Sequence, residues 1–389
     1  MRIGIEAQRI FRRKKHGMDI YALELIKALQ EIDRQNEYYI FVKKGPDICL
    51  AETGNFKIIL VPGFTYVDWE QIQLPIAAAK FQLDFLHCTS NTAPILTKIP
   101  TLITLHDIIY LQQGFQGGSP YQKLGHIYRK WVVPKVFAKA KIILTVSEYE
   151  AKFIRKHFKS QKRIVSIYNG INAKFRPITC SNSLSSIDLP DDYILFLGNT
   201  APKKNLSRVL AAYSKYQELS KSPLPLVILD MDRAYILHLL IKMGLPLTIM
   251  NQIYLPGYVP HDLLPLLYSN ASLFLYPSLR ESFGIPIIES MACGTPVITA
   301  SNSSMPEIGK WAAEYVDPYN IDHMAKSILT ISTNNKLRHR MINLGKIRAQ
   351  QFNWSITSQN TLNCYYETFS RIYSPKIEVR APTIESVHC

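Results

Sequence analysis

The sequence predicts an α/β protein made of two doubly wound, Rossmann-like domains facing a central cleft. Three observations carry this. Short apolar runs of strand length alternate with segments of helical spacing, which is the pattern of a mostly parallel sheet covered on both faces. The alternation stops once, in the polar, Ser-rich stretch 172–192, and then restarts. The chain has 389 residues, more than one ordinary core accommodates.

The elements follow in order. IGIEA reads as a short buried strand, and Ala22, Leu25, Ile26 and Leu29 fall at helical spacing behind it. YYIFV, KIILV, FLHCT, TLITLHD and KIILTVS are further strand-length runs, with HIYRKWVVPKVFAKA and YEAKFIRKHF as helices among them. After the break come the strand YILFLG, the helix LSRVLAAYSKY, the strands PLVILD and IYLPG, the helix LLPLLYSNA and the strand SLFLYPS. A helix opening at Pro286 and the strand TPVITAS complete the series. The predicted boundaries are a first domain at 1–175, a linker at 176–192, a second domain at 193–352, a final helix at 353–373 and a tail at 374–389. In such sheets ligands bind beyond the strand C-termini.

Composition narrows the class. Hydrophobic residues make up 47% and charged residues 19%, the balance of a globular protein with a sizeable interior. No apolar run approaches the ~18 residues of a membrane span, and the N-terminus lacks the apolar core of a signal peptide. The six cysteines are scattered with no C-x-x-C, which fits reduced thiols in a cytosol better than a disulfide framework or a zinc site. The net charge is +15, of which residues 121–163 alone contribute +10. A field of that size suits an anionic partner such as a membrane surface. Tyr121, Tyr128, Trp131, Val132, Val133 and Phe137 are interleaved there with Lys123, Arg129, Lys130, Lys135 and Lys139. That fits a helix lying on an anionic bilayer, and equally a helix whose apolar side faces a core.

Residues 280–296, RESFGIPIIESMACGTP, are the most informative stretch. Glu281 and Glu289 stand either side of the turn Ser282-Phe283-Gly284, and Pro286 is suited to the first helical position. The N–H groups near Phe283, Gly284 and Ile285 then point outward at the positive end of a helix dipole, a diphosphate-sized anion site flanked by two carboxylates. Carboxylates beside an anion make sense if they hold hydroxyls, as on a sugar and a ribose. From spacing alone, a strand–loop–helix unit with two solvated acids is as good a reading.

This segment resembles the E-x7-E signature of the retaining family 4 glycosyltransferases, the "glycosyl transferases group 1" domain, with its trailing M-A-C-G-T-P-V. ILFLGNTAPKKNLSRVL at 194–210, TLITLHDIIYL at 101–111, the opening RIGIEAQ…HGMDIYALELIKAL and the closing FNWSITSQNTLNCYYETF resemble the family in the same order. The resemblance implies the two-domain GT-B architecture with the last helix crossing back to the first domain. It also implies retaining, metal-independent sugar transfer from a nucleotide-diphosphate sugar, with no cofactor. Mannosyltransferase-like motif variants put GDP-mannose first as donor, with a UDP-sugar close behind. The implied acceptor is a glycan or lipid-linked saccharide in bacterial surface polysaccharide or glycoconjugate synthesis. The implied location is cytoplasmic, peripheral on the inner face of the membrane if the basic segment docks there.

Residue by residue, the resemblance implies that Glu281 holds donor-sugar hydroxyls and Glu289 the ribose. Lys203 and Lys204 would neutralise the leaving diphosphate, with Lys203 standing where an arginine is usual; lysine offers a point charge where arginine offers a fork. Asn199 follows the strand glycine where many members carry Arg. His106 would lie against the donor sugar, Gly17 would let the backbone approach a phosphate, and Tyr258 and Val259 would frame the base. The absence of G-x-G-x-x-G argues against a dinucleotide coenzyme. Asp230-Met231-Asp232 has the spacing of a divalent-metal and nucleotide site, but the lysines and the helix terminus already answer the phosphate charge, so no metal is expected. Two rivals stay open. One is a GT-B-fold sugar-nucleotide epimerase or hydrolase. The other is a basic nucleic-acid-binding protein, disfavoured because the excess charge sits in one segment without a recognition motif.

Overall fold

The computed structural model describes residues 1–111, 120–178 and 189–373. Most of the predicted linker (179–188) and the tail 374–389 lie outside the described residues, as does Cys180; Cys49, Cys88, Cys293 and Cys364 are free thiols.

Among the described residues, a seven-stranded sheet is built from β1 (Arg2–Glu6), β2 (Glu37–Val42), β3 (Phe56–Leu60), β4 (Phe85–Cys88), β5 (Thr101–Leu105), β6 (Ile142–Thr145) and β7 (Ile164–Ser166), in the order β3-β2-β1-β4-β5-β6-β7. A six-stranded sheet contains β8 (Ile194–Leu197), β9 (Leu226–Leu229), β10 (Ile253–Gly257), β11 (Leu273–Tyr276), β12 (Val297–Ala300) and β13 (Glu314–Val316), ordered β10-β9-β8-β11-β12-β13. Pairing is parallel across β1, β2, β3, β4 and β5 in the first sheet and throughout the second. Each order reverses once, between β1 and β4 and between β8 and β11, as in doubly wound folds.

Period-two alternation explains why the second sheet reads as unbroken apolar runs. Ile194, Phe196, Leu226, Ile228, Leu273, Leu275 and Ile298 turn to one face, where they join Val209, Leu210, Tyr213 and Tyr216 of the helix Leu206–Leu219 and Met324 and Ile328 of the helix Ile321–Thr333. Leu195, Val227, Leu229, Phe274 and Val297 turn to the other, against Ile287, Ile288 and Met291 of the helix Ile285–Ala292. With both faces buried, both alternate positions are apolar, apart from the buried Thr299 of β12, whose hydroxyl donates to Tyr276 O at 2.9 Å.

The chain divides into two compact units. One comprises Met1–Leu144, Ser160–Val165 and the segment from Ser358, and the other Thr145–Lys159 and Ser166–Thr357. The sequence places 145–159 and 166–175 in the first domain. In the structure they group with the second, because Val146 and Phe175 enter its core. The helix Trp354–Tyr373 contributes its first turn to the second unit and the rest to the first. There Tyr365 is fully buried and its hydroxyl meets His87 Nδ1 at 2.7 Å.

The helix Pro120–Lys139 divides the apolar residues of the basic segment between a core and the surface. Val132, Val133 and Phe137 are buried, and the Tyr128 hydroxyl donates to the buried carboxylate of Glu70. Trp131 of that set is exposed, together with Leu124 and Ile127, with the Lys135 ammonium 3.5 Å from the Trp131 ring centroid. Helical periodicity allows either stripe to face inward; the packing of this unit selects the first. The side chains of Tyr121 and Lys123 lie outside the described residues.

Ile228 is fully buried on β9 at the centre of one face. Ile228→Ala should therefore cost about 2–5 kcal/mol, the transfer energy of the lost methyl groups plus the cavity, read as a shift in the urea midpoint with the slope unchanged.

Candidate functional site

The reversal at β8/β11 makes two loops leave the second sheet side by side, since Leu273 pairs with Ile194 and Phe274 with Leu195. The loop after β8 turns through Pro202–Lys204 and ends on Asn205, at φ 65°. Asparagine tolerates that left-handed conformation better than most residues. The buried Asn205 amide donates to Pro277 O at 3.1 Å and to Pro318 O at 2.7 Å, and Leu279 N donates to Lys203 O at 2.7 Å. The two loops are thereby stitched together by their backbones.

Across this seam Lys204 Nζ lies 2.8 Å from Glu281 Oε1 and 2.9 Å from the Tyr276 hydroxyl at the end of β11. Lys203 Nζ stands 3.8 Å from Glu281 Oε2 and is far more exposed than Lys204. Burial alone raises the pKa of the Glu281 carboxyl, but Lys204 first and Lys203 second outweigh it, and the net effect is below the usual glutamate value. Burial, reinforced by the charge of Glu281, drives the Tyr276 hydroxyl well above its ordinary value, so it remains a neutral phenol. The backbone of Glu281 is held by the loop after β12. Its N–H donates to Ser303 Oγ at 2.8 Å, and Ser304 Oγ is 2.9 Å from both Glu281 O and Phe283 O.

The helix that follows opens at Ile285, so Pro286 takes its second position, not the first. The N-cap is Gly284 at φ 103°, where a Cβ would approach Ile287 Cδ1 at 3.1 Å. Glycine fits this backbone and brings no side chain to occupy the helix end. Ser282 offers its carbonyl to Ser147 Oγ at 2.7 Å. The buried ring of Phe283 packs between Tyr168 and Phe352, so it anchors the turn from beneath. Glu289, one turn on, is buried; Tyr268 donates to its Oε2 at 3.3 Å and His261 Nε2 lies 3.5 Å from its Oε1. Lys174 Nζ donates to His261 Nδ1 at 2.9 Å, which leaves the imidazole proton on Nε2, facing the carboxylate.

Of the remaining predicted residues in this unit, Asn199 Oδ1 accepts from Ala201 N at 2.9 Å. Tyr258 is exposed, but Val259 belongs to the core. Asp232 accepts from Tyr235 N at 2.8 Å as N-cap of the helix Arg233–Met243. Asp230 sits at φ 56° in the turn before it. The D-x-D spacing here is thus that of a strand–turn–helix junction with a capping carboxylate.

Gly17 and His106 belong to the other unit. Gly17 begins the helix Gly17–Ile32, and a Cβ there would meet nothing within 4 Å. His106 follows β5. Its ring edge packs on Tyr21 and its Nε2 is 2.8 Å from Thr89 O. A carbonyl can only accept, so the proton is on Nε2; burial lowers the pKa of the ring and keeps it neutral.

Sequence reasoning missed Tyr276, Asn205, Ser303, Ser304 and His261. Asn205 had a signal, a turn-compatible asparagine directly after two lysines. The serines had none, because they come from a loop distant in sequence.

The Glycosyl transferases group 1 model matches residues 184–348 and the Glycosyltransferase Family 4 model matches residues 16–175. The chain is 33% identical over 234 residues to O-antigen chain mannosyltransferase B of Escherichia coli, covering 58% of this chain and 60% of that one. It is 26% identical over 302 residues to the serotype-specific mannosyltransferase WbdA of Escherichia coli, covering 74% of this chain and 35% of that one. The matches thus span between a third and three fifths of these relatives' lengths. Among solved structures, sucrose-phosphate synthase from Thermosynechococcus elongatus superposes with TM-score 0.71 at 19% identity, over 95% of this chain and 99% of that one. That likeness establishes the GT-B fold.

The ion pair has a pH signature. The folded pKa of Glu281 lies below its unfolded value, so the unfolded chain takes up the proton first as pH falls. The stability difference between wild type and Glu281→Gln should be constant above about pH 5 and shrink as pH drops through the carboxylate range. Urea unfolding at a series of pH values measures it; a pH-independent difference would mean that the carboxylate is not held in its charged form.

Proposed function

Because the chain belongs to the group 1, family 4 glycosyltransferases, we propose that it transfers a hexose from a nucleotide-diphosphate sugar with retention and without a metal ion. The observation that carries this is the Lys203–Lys204–Glu281 cluster at the strand-order reversal, beside a helix N-terminus capped by a glycine. A departing nucleoside diphosphate develops negative charge on its phosphates. Two lysines and a helix terminus answer it without a divalent ion. When the phosphates take over the lysines, the Glu281 carboxylate is released to accept hydroxyls of the transferred sugar, and Glu289 is assigned to the ribose. In the first unit His106 and Gly17 keep the ligand-contact roles that the family resemblance implies. The mannosyltransferase relatives favour GDP-mannose as donor, ahead of a UDP-sugar, and a glycan or lipid-linked saccharide as acceptor.

The membrane reading gains a better-defined surface. Leu124, Ile127 and Trp131 are exposed at helical spacing, with Lys130 and Lys135 beside them, in a segment of charge +10. An exposed apolar stripe bordered by cations suits an anionic bilayer. Among the described residues no helix is long and apolar enough to cross a membrane.

Four experiments test these proposals. Glu281→Gln should lower transfer from GDP-mannose by on the order of 100-fold, through loss of a charged hydrogen bond at the reacting sugar. EDTA should leave the wild type active, and NMR of the new linkage should show the donor's anomeric configuration. Manganese-dependent activity would break the charge argument. In vesicle sedimentation, wild type should bind phosphatidylserine-containing vesicles at low salt, and Lys130→Glu with Lys135→Glu should release it, each cation being worth about 1 kcal/mol. Equal sedimentation of both proteins would remove the membrane assignment.

A further inference from the structure

The residue before Glu281 is held by a buried ion pair and two aromatic rings. Arg280 Nη2 lies 2.7 Å from Glu150 Oε2, and Glu150 is fully buried. The guanidinium sits 4.7 Å from the ring centroid of Tyr149 and 4.7 Å from that of Phe153. These rings are four residues apart on the helix Glu148–Phe158, hence on one face. Arg280 Nε and Nη1 are buried without a hydrogen-bond acceptor, so aromatic faces, and not oxygens, surround the rest of the cation.

The same helix grips the residue after Glu281. Its N-cap Ser147 accepts from Glu150 N at 3.1 Å while donating to Ser282 O at 2.7 Å. The carboxylate of Glu307 accepts from Glu148 N at 2.7 Å and Tyr149 N at 2.8 Å. Glu307 lies in the helix Met305–Gly309, directly after the serines that hold the backbone of Glu281. The positions before, at and after Glu281 are therefore tied into one closed set of contacts. A buried ion pair is a poor source of stability, since apolar residues of similar shape commonly do as well. It is a strong geometric constraint, because a planar, stacked guanidinium has one orientation.

We propose that Arg280, locked by Glu150 and the rings of Tyr149 and Phe153, is a positioning residue that sets the Glu281 carboxylate for sugar transfer. This rests on the role assigned to Glu281 above. It acts through Glu281 and touches neither substrate, so it governs kcat and leaves donor KM alone.

The test compares Arg280→Met, Arg280→Lys, Glu150→Gln, Glu281→Gln and the double variant Arg280→Met/Glu281→Gln, in the full chain, by GDP release from GDP-mannose. Arg280→Met should lower kcat about 10- to 100-fold, the scale of a misplaced catalytic group, with donor KM within about two-fold, and Arg280→Lys should recover part of the loss. The double variant should be no slower than Glu281→Gln alone, because a misaimed glutamine has nothing left to lose. Near-ultraviolet circular dichroism verifies folding; should Arg280→Met not fold, Glu150→Gln carries the same comparison against Glu281→Gln. Losses that multiply in the double variant, or that merely track the unfolded fraction, would overturn the positioning role while leaving the site intact. A Glu281→Gln enzyme with wild-type kcat would overturn the site assignment, and the positioning role with it.

Discussion

The site depends on a constraint of the sheet. Strand order reverses between β8 and β11, so the loops leaving these strands are neighbours that no helix separates. Lys204 comes from one loop and Glu281 from the other, 77 residues apart in sequence, and they close at 2.8 Å. The pair is buried enough that either charge alone would be costly. Each residue's charge is thereby balanced by the other's.

Around that pair the surroundings divide the work between backbone and side chain. Asn205, Leu279, Ser303 and Ser304 hold main-chain groups, which leaves the Lys204 and Glu281 side chains as the adjustable parts. Tyr276 supplies a neutral hydroxyl to the lysine without competing for its charge. Glu289 is placed one turn along the same helix, with Tyr268 and His261 on its two oxygens. A single helix start thereby fixes the spacing of both carboxylates.

The basic helix of the first unit shows how far periodicity alone can mislead. Val132, Val133 and Phe137 were as plausible on a membrane as Leu124, Ile127 and Trp131, because two stripes of a helix can each carry apolar residues. Burial assigned the first stripe to the core and left the second outside. Tyr128, bonded to Glu70, fixes the rotation of the helix between them.

The sequence by itself determined the fold class and marked the segments that the structure brings together as the candidate site. Parallel strands covered on both faces are mostly apolar, so β1, β2, β4, β5, β8, β9, β11 and β12 announce themselves despite an occasional buried polar residue such as His87 or Thr299. The E-x7-E and P-K-K-N segments are local, and a helix start or a strand-end loop is written in a few consecutive residues. The three-residue strands β7 and β13 are too short to carry a period. Only the tertiary structure decided which unit the helix Glu148–Phe158 joins, that Asp232 caps a helix, and that Glu150 and Arg280 meet across 130 positions. Such contacts depend on where packing brings distant segments together, and neither residue's own neighbourhood in sequence records it.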